Sequence, residues 1–207
     1  SVKENAERKE LALKKLIYAA FCTGSGEFVE LLYGEKSLDD ITKEGIYKGY
    51  DLKTANYSFA APLYMGAILA GAGDKQANTL SNLGLCLGRA FQIKDDIIGL
   101  FGKKGAIGKS NLTDVQEAKK TILIWYAYNN SDKRNKTEIK IIFSKRKVSN
   151  SDLLKLRKII SATDTLEYAK KEIDSQVKKA ESLAKLSDMR AEYKNSLLSY
   201  SRELLRL

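Results

Sequence analysis

Apolar residues return every three or four positions through the middle of the chain. Leu80, Leu83, Cys86, Leu87, Ala90, Ile93, Ile97 and Ile98 predict the buried face of one long helix over about 75 to 101. The opposite face is narrow and polar, because Gln92, Asp95, Asp96 and Gly99 fall at i, i+3, i+4 and i+7. Upstream, residues 10 to 34 carry the same spacing in Leu13, Leu16, Ile17, Ala20, Phe28, Leu31 and Leu32. Between the two halves lies Cys22-Thr-Gly-Ser-Gly26, where local propensity would end a helix. Gly34 closes this region, and Ser37 before Leu-Asp-Asp supplies an N-cap with acidic residues in the first turn. Helices are predicted next at about 38 to 49 and 50 to 71, the second ending at Gly71-Ala72-Gly73 and bent near Ser58 by Pro62, which lacks a backbone donor. Asp74 caps the long helix, and residues 102 to 113 form a glycine- and lysine-rich loop. Further helices are expected at about 115 to 129, 134 to 144, 151 to 162, 164 to 186 and 188 to 206, with breaks at Ser131, Ser149 and Ser151. The expectation is an all-α fold.

Composition narrows this picture without changing it. A chain of 207 residues, 43% hydrophobic and 30% charged, can close one sizeable core, and a single proline with 14 glycines argues against a strand-and-turn architecture. No repeat, low-complexity linker or second domain stands out. Thirty-six basic against 26 acidic residues leave +10, which favours an anionic partner such as substrate phosphates, nucleic acid or a membrane surface. The positive charge is dispersed along helices instead of gathered with stacking aromatics, which argues against nucleic acid. No run of 18 uncharged apolar residues occurs. Cys22 and Cys86 both lie in apolar helical settings as reduced core residues, and Trp125, Tyr126 and Tyr128 read as packing. The absence of histidine removes histidine triads and histidine metal sites.

The chemistry concentrates on the long helix and the segment just beyond it. Asp95 and Asp96 are neighbouring like charges on a mostly buried helix, and ionised groups out of water need a positive partner or a metal. An isolated Asp-Asp pair is more often a solvated patch. Here Gly84, Gly88, Gly99 and Gly102 surround it, and Gly108-Lys109, Lys119 and Lys120 come after it. Carboxylates for magnesium with lysines and small residues around them suit a diphosphate site. Lys53 shares a face with Tyr50, Thr54, Tyr57 and Ala61 at the mouth of a very apolar helix, which makes it a candidate diphosphate contact. Gly108-Lys109 lacks P-loop spacing, and a basic loop there can close over substrate and exclude water.

These residues resemble one family, the trans-isoprenyl diphosphate synthases. Phe91-Gln92-x-x-Asp95-Asp96 is similar to that family's second aspartate-rich motif with its preceding Phe-Gln. Gly108-Lys109 with Asp114, Glu117, Lys119, Lys120 and Thr121 resembles the downstream Gly-Lys, Asp, Glu-Gly-Lys-x-Thr segment. Lys53-Thr54-Ala55 is similar to the Lys-Thr-Ala helix, and Gly26-Glu27-x-x-Glu30 is a weaker echo of Gly-Gln-x-x-Asp. Four motifs in the family's order make the resemblance specific.

The resemblance implies the isoprenoid synthase helical bundle, with one continuous helix through Cys22 to Gly26 whose small residues allow close packing. It implies Mg2+ held by Asp95 and Asp96, contact with the leaving diphosphate by Lys53 and Lys109 with Lys119 behind them, stabilisation of the allylic cation by Thr54 and Gln92, and contact with isopentenyl diphosphate by Phe91. The reaction implied joins isopentenyl diphosphate to an allylic diphosphate, giving farnesyl or geranylgeranyl diphosphate in the cytoplasm, with at most peripheral membrane contact. Two positions depart from the family. Gly99 stands at the third position of the second aspartate motif, as in archaeal-type short-chain members, and the first motif, Asp-Asp-x-x-Asp with arginines after it, is nowhere in the chain. The chain therefore reads as the C-terminal portion of one all-helical domain, lacking the N-terminal helices, inactive alone, and paired with an N-terminal segment or chain in a homo- or hetero-oligomer. The competing reading is a non-catalytic subunit that binds a true synthase and tunes product length.

Overall fold

The structure is a computed structural model that describes residues 6–102 and 112–206. The described residues form helices joined by short turns, with no strand among them. Helix α1 spans Ala6–Glu35 without interruption, so the Gly24 to Gly26 stretch does not end it. The reason lies at Gly26. A Cβ there would lie 2.8 Å from the backbone nitrogen of Lys53 and 2.9 Å from its Cα, so a hydrogen side chain lets another backbone come within contact. Tertiary packing thus outweighs the roughly 1 kcal/mol helix cost of glycine.

The predicted break between residues 49 and 50 is absent. After a 3₁₀ turn at Leu38–Asp40, capped by Ser37, α2 (Lys43–Tyr50) continues into a π-helical stretch at Asp51–Ala60 and then α3 (Ala61–Leu69). The wider register is visible where the Ala61 amide donates to the Asn56 carbonyl. Pro62, which has no amide hydrogen to give, sits where the wide register returns to α-helix, so its missing donor is absorbed at the change of register and not in a bend of an ordinary helix. Gly71, at φ +90, turns the chain toward α4 (Asp74–Phe101).

The second departure is a break inside the predicted helix 115 to 129. A short α5 (Thr113–Gln116) ends where Ala118 takes a left-handed φ of 51, and Thr121 then caps α6 (Ile122–Asn129) by accepting from the Ile124 amide. Glu117, Ala118, Lys119 and Lys120 are good helix formers, so nothing in local propensity announces this turn. The remaining helices obey the hydrophobic pattern: α7 Lys133–Phe143, α8 Asn150–Ala162, α9 Thr165–Leu186 and α10 Ala191–Leu205. Ser149 caps α8 in a reciprocal capping box with Asp152.

The chain divides into two compact units. One comprises Lys48–Gln92 with the described residues up to Phe28 and from Ile173 onward; the other comprises Val29–Tyr47 and Ile93–Glu172. The first has an alanine-rich core, with Ala19, Cys22, Ala55, Ala60, Leu83 and Ala90 buried. In the second, α6, α7 and α8 pack on one another around the fully buried Ile122, Leu123, Ile124, Ile139, Ile142, Leu156 and Ile160. Both cysteines are buried and free. Tyr126 stacks on Tyr168 with ring centroids 3.8 Å apart, which gives the Trp125 to Tyr128 stretch its packing role.

Two carboxylates of the second unit tie elements together and make its stability depend on pH. The Lys140 ammonium and the Tyr128 hydroxyl hold the Asp39 carboxyl down to about 2, and Lys145, with the backbone and hydroxyl of Ser149, holds Asp152 well below the ordinary carboxylate range. A carboxyl whose folded pKa lies below the unfolded 3.8 contributes stability that is fully present above that value and lost as pH falls through the folded pKa. Equilibrium unfolding should therefore show a falling midpoint from pH 4 toward pH 2, shallower in Asp152→Asn. An equal fall in wild type and variant would contradict this.

Candidate functional site

In the first unit, close helix approach sets the geometry. A Cβ at Gly84 would lie 2.6 Å from the Cα of Ala60, and a Cβ at Gly88 would overlap Ala55, so only glycine on α4 lets the π-helical stretch lie against it. The two glycines thus face a neighbouring helix. At this seam Thr54 Oγ1 donates to Gln92 Oε1 at 2.6 Å, and the Phe59 and Phe91 rings lie 5.5 Å apart, tilted by 51°. The π-helical stretch gives Lys53 and Thr54 their presentation, and such wide turns recur at functional sites. Lys53 Nζ is part-buried and pairs with Glu27 Oε1 at 3.3 Å, directly beside the close approach of Gly26. The weak Gly26-Glu27 echo thereby acquires a physical basis.

Sequence reasoning missed an ion pair beside these residues. The Arg89 guanidinium grips the Asp51 carboxylate with two hydrogen bonds of 2.6 Å, and both groups are part-buried. Its signal was available: Arg89 lies one turn before Gln92 on α4, and Asp51 two residues before Lys53. The pair clamps α4 to the π-helical stretch in the fork geometry that arginine favours.

In the second unit, α4 carries the aspartate pair with opposite exposures. Asp95 is exposed and Asp96 is 5% exposed. Asp96 lines a narrow gap together with Asp114, Lys119 and Thr121. Lys119 Nζ sits 2.6 Å from Asp114 Oδ1 and 3.1 Å from Glu117 Oε2. Burial by itself would lower the Lys119 pKa, but the hydrogen bonds to Asp114 and Glu117 and the charge of Glu30 overcome it and raise it above the usual lysine value. Lys120 points elsewhere: it donates to the carbonyls of Gly34 and Ala118 and lies over the Phe143 ring, and its burial lowers its pKa. Lys109 and the Gly108-Lys109 motif lie outside the described residues. The structure thus brings Lys53, Thr54, Phe91 and Gln92 onto one seam in the first unit, and Asp96, Asp114 and Lys119 around one gap in the second.

Asp95 and Asp96 offer carboxylate oxygens, of the kind that suits a hard divalent cation. Among the described residues no three carboxylate or cysteine side chains cluster closely enough to hold a metal by themselves. The pair fits a cation completed by phosphate oxygens or water, the usual manner of magnesium.

The family model for polyprenyl synthetase matches residues 4–160. A geranylfarnesyl diphosphate synthase of Aeropyrum pernix is 31% identical over 198 residues, covering 94% of this chain and 60% of that protein. A geranylgeranyl diphosphate synthase of Saccharolobus solfataricus is 32% identical over 130 residues, 63% of this chain and 39% of that one. Among solved structures, a geranylgeranyl pyrophosphate synthase from Corynebacterium glutamicum, complexed with isoprenyl diphosphate and magnesium, superposes with a TM-score of 0.86 at 23% identity, covering 98% of this chain and 57% of that one. The chain thus spans 60% or less of the length of these proteins. Among the described residues no helix is long and apolar enough to cross a membrane.

Proposed function

Since the chain belongs to the polyprenyl synthetase family, we propose that it works as the C-terminal part of a trans-prenyltransferase joining isopentenyl diphosphate to an allylic diphosphate, with farnesyl or geranylgeranyl diphosphate as product. The observation that carries the reading is the Asp95-Asp96 pair on α4, one carboxylate open and its neighbour buried in a gap that Lys119 also lines. Magnesium in that complexed relative, and the paired carboxylates here, support Asp95 and Asp96 as its holders in this chain. When bound, the cation would neutralise charge on the departing diphosphate.

The chain's own residues supply the remainder. Lys53 and Lys109 are assigned to the diphosphate as it leaves, with Lys119 behind them, and such charge counts most where water is excluded. Thr54 and Gln92 hold each other at 2.6 Å, which fixes the amide oxygen so that its dipole faces the developing allylic cation without reorganisation. Phe91 braces the isopentenyl group, its ring steadied by Phe59. The pair Asp51 and Arg89 keeps that seam in register.

The 207 residues contain no Asp-Asp-x-x-Asp. We assign that first motif to a second segment or chain that completes the site. The α1 surface supports this assignment: Leu13, Leu16, Ile17, Phe21 and Phe28 are between 47% and 72% exposed, an apolar stripe of the kind that protein covers in a working assembly. Incubation with magnesium, dimethylallyl diphosphate and isopentenyl diphosphate should give product only when a polypeptide carrying the first motif is added. Full turnover by this chain alone would overturn the assignment.

A further inference from the structure

Gly99, one turn beyond the aspartate pair, stands where the second aspartate motif has its third acidic position, and the structure fills that space from elsewhere. A Cβ at residue 99 would land on Asp114 Oδ2, closer than real side-chain contacts allow. The other carboxylate oxygen accepts from Lys119 Nζ at 2.6 Å. The turn between them is closed tightly: the Lys119 amide donates to the Asp114 carbonyl at 3.0 Å, and Ala118 adopts its left-handed φ of 51. The carboxylate is therefore held on one side by the bare α carbon of α4 and on the other by an ammonium.

We propose that Gly99 and Asp114 are a positioning pair for Lys119: the glycine opens a notch on α4, the Asp114 carboxylate seats in it, and the seated carboxylate aims the ammonium into the gap lined by Asp96 and Thr121. A free lysine side chain gives up rotamer entropy when it is fixed. Seating Asp114 settles that cost during folding, before substrate arrives. An acidic residue introduced by Gly99→Asp would put two carboxylates in one notch and expel Asp114. The inference rests on the functional reading only for what Lys119 contacts; the notch stands on packing alone.

The test compares wild type, Gly99→Ala, Asp114→Ala and the double variant. The first readout is the acetylation rate of Lys119 at pH 8.5, measured by peptide mass spectrometry against exposed Lys133. The Asp114 carboxylate raises the Lys119 pKa, so its loss enlarges the neutral, reactive fraction, an increase expected to be at least about threefold. Both single variants should show at least that increase, and the double variant no more than Asp114→Ala. A wild-type rate at Lys119 in Gly99→Ala, with the melting temperature raised as for a simple helix improvement, would overturn the proposal. If Gly99→Ala does not fold, the double variant decides: its notch is empty and it should fold, and failure to do so would overturn the proposal too. Titration of wild type with magnesium and inorganic pyrophosphate separates the two readings. Absence of binding there would sink the diphosphate reading, while the lysine rates would still decide the notch.

Discussion

Asp95→Ala should lower kcat of the reconstituted condensation by about 10³-fold, the scale expected when a principal stabiliser of developing charge is removed. The carboxylate is exposed on α4, so the same substitution should leave unfolding within about 0.5 kcal/mol of wild type. This separation is what makes the variant informative. A subunit that kept only the helical frame and tuned the product of another synthase would tolerate the loss. Incorporation of labelled isopentenyl diphosphate, measured beside thermal unfolding, distinguishes the two: unchanged product formation would leave the scaffold reading standing.

A large effect on stability should come from Gly84→Ala. The added methyl would lie 2.6 and 2.7 Å from the Cα and nitrogen of Ala60 and 2.8 Å from the carbonyl carbon of Phe59, all backbone atoms that cannot turn aside. Overpacking of this kind costs about 1–3 kcal/mol. It sets itself against the roughly 1 kcal/mol that alanine gains over glycine inside a helix. The expected net result is a loss of up to about 2 kcal/mol, the difference between those terms. Gly66→Ala is the matched control, since nothing lies within 4 Å of a Cβ there and the substitution is within α3. Denaturant unfolding should show Gly66→Ala stabilised and Gly84→Ala destabilised; the same sign for both would mean that the seam between α4 and the π-helical stretch is not close-packed. The seam also carries the Thr54–Gln92 hydrogen bond, so a shifted backbone here should disturb chemistry as well as stability.

Much of this was legible in the chain because helical periodicity is a local signal. The buried face Leu80, Leu83, Cys86, Leu87, Ala90 and Ile93 could be read directly, as could the helices from residue 133 onward, where caps such as Ser149 coincide with the start of an apolar pattern. Local propensity misleads where a distant partner decides the backbone. Gly24 and Gly26 look like a break by propensity, yet α1 runs on because Gly26 meets the backbone of Lys53. The turn at Ala118 lies among good helix formers and is made by Lys119 and Asp114 closing on each other. A π-helical register has no propensity signature, so residues 51 to 60 read as ordinary helix. In the candidate site, the residue types were visible in the sequence, while the pairings Lys53–Glu27 and Asp51–Arg89 were not, because pairing depends on which helices meet.

The most direct measurement is titration calorimetry of this chain with inorganic pyrophosphate, with and without magnesium. The account expects binding that requires the cation and disappears in Asp95→Ala. Binding that is equally strong without magnesium, or that survives the loss of the Asp95 carboxylate, would contradict the claim that the aspartate pair on α4 recruits a cation for a diphosphate.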